Sequence, residues 1–231
     1  MVVDKSAAIR DIMNREEPIV AGLYPHRMGK SMFLGLLADF LAAVSDTPYS
    51  ERRARYEQYA IYQEDPEFFN SNMGRYVVFN LDLKYDIGLL YVHFLKRLID
   101  GEDVDVGAHD IAVVRERLRV HRRAVIRAFK RYDRERYVKY ISEGDLFDIC
   151  DMIPTLMEVF YLLFDCKAVV IVDGCDAPFL DIIRDPEDQR TRQELLEEYK
   201  GFFSGILEDN PHLHKGILAG VFDVRSSSLE S

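Results

Sequence analysis

Four short apolar runs constrain the fold of this chain more than any other feature of its sequence. They span residues 18–23, 76–82, 168–173 and 216–221, and Gly, Pro or polar residues flank each of them. Runs of this length are typical of strands, and helical periodicity fills most of the sequence between them. Strands that alternate with helices favour a parallel sheet with right-handed crossovers. The pattern therefore predicts an α/β fold with a mainly parallel sheet of about four strands.

The sequence between the second and third runs predicts helices only. Residues 85–165 contain no convincing strand, so we expect a helical insertion on one side of the sheet, with residues 1–84 and 166–231 as the two halves of the core. Near the N-terminus, an apolar stripe of helical spacing begins at Met32 and Phe33. A helix is therefore predicted to begin at the Gly-Lys-Ser turn, residues 29–31.

Composition limits the functional class only loosely. The 231 residues carry a net charge of −10 and are 48% hydrophobic, as is typical of a globular protein. The sequence has no apolar run of about 18 residues and no signal peptide, so we expect a cytoplasmic or nuclear location without a membrane span. The three cysteines show no CxxC spacing, and the histidines do not cluster with acids; His212 and His214 are expected in a loop.

The loop after the first predicted strand ends like a phosphate-binding loop. Residues 24–31 read Y-P-H-R-M-G-K-S, although the first position of such a loop is normally Gly. In this hypothesis the loop binds ATP or GTP: Lys30 reaches the outer phosphates and Ser31 ligates Mg²⁺. The residues expected to hold the nucleotide are Pro25, His26, Arg27, Met28, Gly29, Lys30 and Ser31. The alternative is an ordinary helix N-terminus capped by Ser31.

A second motif favours the phosphate-binding interpretation. The apolar run 168–172 ends in Asp173, and Asp176 follows three residues later. In a parallel sheet the end of such a strand lies at the carboxyl edge, where a carboxylate can ligate Mg²⁺ beside a phosphate loop. Ser31 and Asp173 are therefore the predicted metal ligands.

These motifs resemble those of the predicted AAA-ATPase-like family, P-loop proteins of the additional-strand type. Family members show R-P-R-R-F-G-K-S where this chain has Y-P-H-R-M-G-K-S, and D-E-Y-D-A-P where it has D-G-C-D-A-P at 173–178. Residues 65–84 and 202–211 resemble family segments before the second and last strands. The resemblance implies a P-loop NTPase-like sheet in which the strand at 216–221 lies between those at 18–23 and 168–173.

This chain departs from the family pattern at residues that nucleotide hydrolysis needs. Gly174 replaces the Glu that activates water, and Ala219 replaces a hydroxyl residue. Family members also continue into further helices and a nuclease-like domain. The resemblance therefore implies a degenerate and truncated member, a nucleotide-binding or pseudo-enzymatic module with weak or absent hydrolysis. An active ATPase with Asp176 as the catalytic base is a further hypothesis.

A basic segment supports an alternative function. Residues 115–139 hold eleven Lys or Arg against three Asp or Glu. A solvated helix facing the acidic remainder of the protein is one interpretation, and membrane-surface binding is another. The functional alternative is a non-catalytic factor that docks on RNA, on a ribonucleoprotein such as the ribosome, or on an acidic protein partner. The residues expected to make those contacts are Arg115, Arg119, Arg122, Arg123, Arg127, Lys130, Arg131 and Arg134.

Overall fold

The chain folds around a four-stranded, all-parallel sheet. The computed structural model describes residues 4–23, 29–82, 89–131, 146–175, 197, 200–201, 203–208 and 210–220. The strands are β1 (Ile19–Leu23), β2 (Val78–Asp82), β3 (Ala168–Asp173) and β4 (Leu213–Gly220). Their order across the sheet is β1-β4-β3-β2, so the last strand in sequence lies between β1 and β3, as the resemblance implied. The α/β class and the parallel sheet of four strands are confirmed.

Helices occupy most of the sequence between the strands. Their bounds are α1 (Ala7–Met13), α2 (Lys30–Leu41), α3 (Tyr49–Tyr56), α4 (Ala60–Glu64), α5 (Pro66–Asn72), α6 (Leu89–Ile99), α7 (Ile111–Arg131) and α8 (Leu146–Phe164). Residues 203–207, which lead towards β4, are also helical. None of the described helices is long and apolar enough to cross a membrane.

The two faces of the sheet are covered by different helices. Side chains alternate along a strand, so Phe79 of β2 packs with α6, α7 and α8, whereas its neighbour Val78 packs with α1, α2 and the short helices α3 to α5. In β3, Val170 and Val169 divide between the faces in the same way. The predicted helical insertion thus supplies one of the two helical layers.

The basic helix α7 is less buried than its apolar residues suggested. From Val113, Val114, Leu118, Val125, Ile126 and Phe129 the sequence predicts a helix that packs on the sheet. Instead α7 packs chiefly against α8 and α6. Val114 and Val125 are buried in that contact, but Val113 is half exposed. An outer helix packs against its neighbours along a narrow face only, so some of its apolar side chains remain exposed to solvent.

Strand β4 begins earlier than the apolar pattern indicates. The predicted strand starts at residue 216, whereas β4 starts at Leu213 and includes His214. The imidazole of His214 stacks on Tyr76 with 4.9 Å between ring centroids. The expectation that His214 lies in a loop is therefore wrong, because tertiary packing makes a polar residue part of the strand.

Candidate functional site

The start of α2 lies directly after β1 in the chain, at the carboxyl edge of the sheet. Gly29 precedes the helix with a φ of 75°, a left-handed conformation that glycine adopts at little cost. Its carbonyl accepts a hydrogen bond from the amide of Phe33, and among the described residues a side chain at position 29 would meet only Lys5 within 4 Å. The backbone angle therefore favours glycine here. Pro25, His26, Arg27 and Met28 lie outside the described residues.

Lys30 and Asp173 meet across this edge. The Nζ of Lys30 lies 2.8 Å from Oδ1 of Asp173, and the two side chains are only 17% and 16% exposed. Lys30 is the first residue of α2, whereas Asp173 is the last residue of β3, so the pair joins segments that are far apart in sequence. The structure thus brings together two of the residues predicted from separate motifs.

The turn after β3 fixes the position of Asp173. Gly174 has a φ of 70°, and its amide donates a hydrogen bond to the carbonyl of Ala219 on β4. The amide of Cys175 donates to the same carbonyl at 3.3 Å. A glycine at 174 therefore suits the left-handed turn, whereas a side chain there, including the Glu of the related motif, would be strained.

The described residues at this edge offer few metal ligands. Among them, no group of three or more His, Cys, Asp or Glu residues could hold a metal ion. The predicted ligands are Ser31, which is exposed at the start of α2, and Asp173, whose carboxylate contacts Lys30. Both supply oxygen atoms, which Mg²⁺ prefers. The candidate catalytic residue Asp176 lies outside the described residues.

Cys166 and Cys175 both pack in the hydrophobic core. Cys175 follows Gly174 near the candidate site and is buried. Burial raises the pKa of the Cys166 thiol to about 11, because the thiolate would lose its hydration. Cys166 therefore lacks the character of a reactive thiol.

The arginines of α7 fall into two groups. In the N-terminal part of the helix, Arg115, Arg117 and Arg119 form ion pairs with Asp103, Asp165 and Glu116, respectively. Farther along, four exposed basic residues show no ion pair within the described part of the chain. We call these four the basic surface: Arg122, Arg123, Arg127 and Lys130. The side chain of Arg131 and the whole of Arg134 lie outside the described residues.

The structure contains a cavity beside Gly29 that the sequence did not predict. Its volume is about 600 Å³, and its lining includes Met32, Phe33 and Tyr59. The sequence predicts Met32 as the start of a core-facing stripe, but 70% of its surface is exposed. The only available signal was Tyr59 itself, an aromatic residue between two polar helical segments, and its position beside α2 depends on tertiary structure.

We compared the chain with protein-family models, with curated proteins and with solved structures, and none of the three comparisons found a significant match. The family resemblance therefore remains a hypothesis that depends on the two motifs and on the strand order.

Proposed function

We propose that this protein is a degenerate member of the P-loop ATPases that binds a nucleoside triphosphate with Mg²⁺ and hydrolyses it weakly or not at all. The observation that carries the proposal is the contact between Lys30 and Asp173, 2.8 Å apart at the carboxyl edge of a parallel sheet. Open α/β sheets bind ligands at this edge. A lysine at the start of α2 and an aspartate at the end of a buried strand are the two charges that a magnesium nucleotide requires.

The start of α2 supplies the other features of a phosphate site. A helix N-terminus has unpaired amide groups and a partial positive charge that attract phosphate. Gly29 lets the backbone approach a ligand closely, and Lys30 would transfer its contact from Asp173 to the phosphates. Ser31 and Asp173 would then hold Mg²⁺ through oxygen atoms. Bound Mg²⁺ would neutralise the part of the negative phosphate charge that Lys30 alone leaves uncompensated.

Weak or absent hydrolysis follows from the residues beside Asp173. Gly174 has no side chain with which to orient or activate water, and its left-handed backbone favours glycine. Ala219, which accepts the amide hydrogen bond from Gly174, has no hydroxyl group either. Because phosphoryl transfer depends on positioned charged and polar groups, their loss slows it by orders of magnitude.

Calorimetric titration with Mg-ATP and with Mg-GTP tests the proposal. We expect wild-type protein to bind at least one of them, and Lys30→Ala to abolish the binding. Lys200→Ala is the matched control, because Lys200 forms an exposed ion pair with Glu197 away from Lys30 and should leave affinity unchanged. Absence of binding at millimolar nucleotide, or equal binding by Lys30→Ala, would overturn the proposal. Rapid phosphate release that Asp176→Asn abolishes would instead support an active ATPase.

The basic surface supports a second candidate function, docking on RNA or a ribonucleoprotein. Its four cations are exposed and, within the described residues, unpaired, whereas the arginines that precede them in α7 already contact carboxylates. Arginine binds phosphate oxygens in pairs and stacks on exposed bases. Cations without internal partners can make such contacts without breaking an ion pair.

A comparison of the two halves of α7 tests this second candidate. We expect single-stranded RNA to bind with an affinity that falls steeply as salt increases. The double variant Arg122→Ala, Arg127→Ala should bind much more weakly, while Arg115→Ala, Arg119→Ala removes the same charge from the paired half and should bind nearly as wild type. Equal losses from both variants would indicate a general charge effect, and no RNA binding by wild type would reject the candidate.

A further inference from the structure

The cavity beside Gly29 has a largely apolar wall formed by the first turns of α2. Met32, Phe33 and Leu36 lie on that wall, and Gly29 lies at its edge. Gly29 also adjoins Lys30, the proposed phosphate ligand. A molecule with its phosphates at the start of α2 could therefore extend its remaining part into this cavity, whose volume of about 600 Å³ exceeds that of a nucleoside.

The lining also includes an aromatic ring that is held in place. Tyr59 lines the cavity and packs edge-to-face against Tyr56, with 5.3 Å between the ring centroids. Tyr56 is fully buried, and its hydroxyl donates a hydrogen bond to the carbonyl of Leu36 at 2.7 Å. This chain of contacts ties the ring of Tyr59 to α2, so the cavity is formed before any ligand arrives.

The N-terminal segment contributes to the cavity lining and is attached to α4. Asp4 and Lys5 line the cavity, and the two carboxylate oxygens of Asp4 accept hydrogen bonds from the amides of Ser6 and Ala60. The buried hydroxyl of Ser6 accepts a further bond from the amide of Ile61 at 3.1 Å. These bonds occupy Asp4, and apart from Lys5 the rest of the described lining is apolar or aromatic.

We propose that this cavity binds the base and ribose of the nucleoside triphosphate. The inference depends on the proposed function, because it places the phosphates at Gly29 and Lys30. Apolar and aromatic side chains bind a nucleobase by stacking, which every base allows. Met32 suits this role, because it is 70% exposed and a flexible thioether adapts to a flat ring.

A comparison of two ligands isolates the base from the phosphates. Mg-ATP and Mg-tripolyphosphate are titrated into the wild-type chain by calorimetry, and the ratio of their two Kd values is recorded. Met32→Trp adds bulk at the cavity from an exposed position, so the protein should still fold. Val120→Trp is the matched control, because Val120 is 66% exposed on α7 and does not line the cavity.

The indole of Met32→Trp would fill space that the base occupies and so displace a base-stacking contact. We expect this to reduce the preference for ATP over tripolyphosphate about tenfold by weakening ATP alone. Val120→Trp should leave the ratio unchanged. A second variant, Tyr59→Leu, should also weaken ATP alone, with thermal unfolding used to confirm its fold. An unchanged ratio in Met32→Trp, or an equal loss of both ligands, would overturn this inference and leave the phosphate site standing. Failure of wild type to bind either ligand would overturn both.

Discussion

The carboxyl and amino edges of the same sheet both hold basic side chains, but in different ways. At the carboxyl edge, Lys30 contacts the carboxylate of Asp173 and remains partly exposed. Near the amino edge, Lys215 is buried and its ammonium donates to the carbonyls of Met13 and Arg15. Arg52 is buried too, and its guanidinium donates to the carbonyls of Asp39 and Thr47.

Parallel topology explains the difference. Helices run opposite to the strands they follow, so helix C-termini collect at the amino edge and helix N-termini at the carboxyl edge. The last carbonyls of a helix lack intrahelical partners and attract cations. Met13 ends α1 and Asp39 lies in the last turn of α2, so Lys215 and Arg52 satisfy acceptors that the fold itself creates. The opposite edge offers amide donors instead, which attract anions.

The comparison separates basic side chains with a structural role from one whose partner a ligand could replace. The carbonyl partners of Lys215 and Arg52 are part of the backbone, so no ligand can replace them without unfolding a helix end. The partner of Lys30 is a side chain in a partly exposed position, which a phosphate group could replace. Stability should therefore depend on the amino-edge cations, and ligand binding on Lys30.

The largest expected effect is on stability, from Arg52→Ala. The substitution leaves a cavity and removes the donors for two carbonyls, so we expect it to lower the free energy of unfolding by about 3 kcal/mol. Urea denaturation followed by circular dichroism measures this. Arg119→Ala is the control: Arg119 is exposed and pairs with Glu116 three residues earlier, and its loss should cost far less than the loss of Arg52. Similar costs for the two variants would contradict a structural role for Arg52.

The next effect comes from a matched pair of lysine substitutions. Lys215→Met keeps most of the side-chain volume but leaves the carbonyls at the end of α1 without a donor, at a cost of about 2 kcal/mol. Lys30→Met leaves Asp173 without its partner in a position that water still partly reaches, so we expect a smaller cost of about 1 kcal/mol. Thermal and urea unfolding of both variants provide the measurement. If Lys30→Met were the more damaging, the distinction between the two edges would be wrong.

A smaller effect is expected from the turn at the carboxyl edge. Gly174 has a left-handed backbone, so Gly174→Ala should destabilise the protein by about 1 kcal/mol. Gly205 lies in the helical residues before β4, and a side chain there would meet none of the described residues within 4 Å. Gly205→Ala should therefore stabilise the protein by roughly 0.5 to 1 kcal/mol. Urea denaturation that shows a loss of stability in Gly174→Ala and a gain in Gly205→Ala would support the backbone argument. A change in the same direction in both variants would refute it.

The smallest effect is a dependence of stability on pH that arises near the amino edge. Burial lowers the pKa of His109 and of His214 below the ordinary 6.5, and basic neighbours, Arg75 and Arg117 for His109 and Lys167 and Lys215 for His214, act in the same direction. A lowered pKa contributes stability that is present above pH 6.5 and is lost as the pH falls through the folded value.

The free energy of unfolding should therefore decrease between about pH 7.5 and about pH 5.5, where few carboxyl groups titrate. The double variant His109→Gln, His214→Gln should show a flatter profile over this interval. Glutamine at 109 can still donate to the carbonyl of Arg75, as the histidine Nε2 does at 2.9 Å. An equally steep profile in the double variant would assign the pH dependence to other groups.

The strands and most helices were predictable because they depend on local patterns. The run 168–173 is apolar up to its final Asp and forms β3 within those bounds, and α8 lies in the segment 85–165 that was predicted to be helical. Gly29 and Lys30 mark the start of α2 as predicted, because a glycine before a helical stripe is a local signal. The presence of Lys30 and Asp173 at one site was predictable only because a phosphate-binding loop needs a carboxylate nearby to hold Mg²⁺.

Other features could not be predicted, because distant segments create them. Arg52 looks like an ordinary surface residue of a polar helix, yet it is fully buried against the end of α2. Tyr59 lies beside the start of α2 only because Tyr56 fixes it there. Val113 follows the apolar spacing of α7 and is still half exposed, because hydrophobic periodicity does not show which sides of a helix its neighbours cover.

The sequence by itself determined the alternation of strands and helices, the apolar strand that ends in Asp173, and the glycine and lysine at the start of α2, because each depends on neighbouring residues and on hydrophobic spacing. Only the tertiary structure decided which charges meet. The strand order places β3 beside β4 and brings Asp173 to Lys30, and the helix ends collected near the amino edge give Arg52 and Lys215 their carbonyl partners. Contacts of this kind depend on chain topology, which sequence spacing alone does not encode.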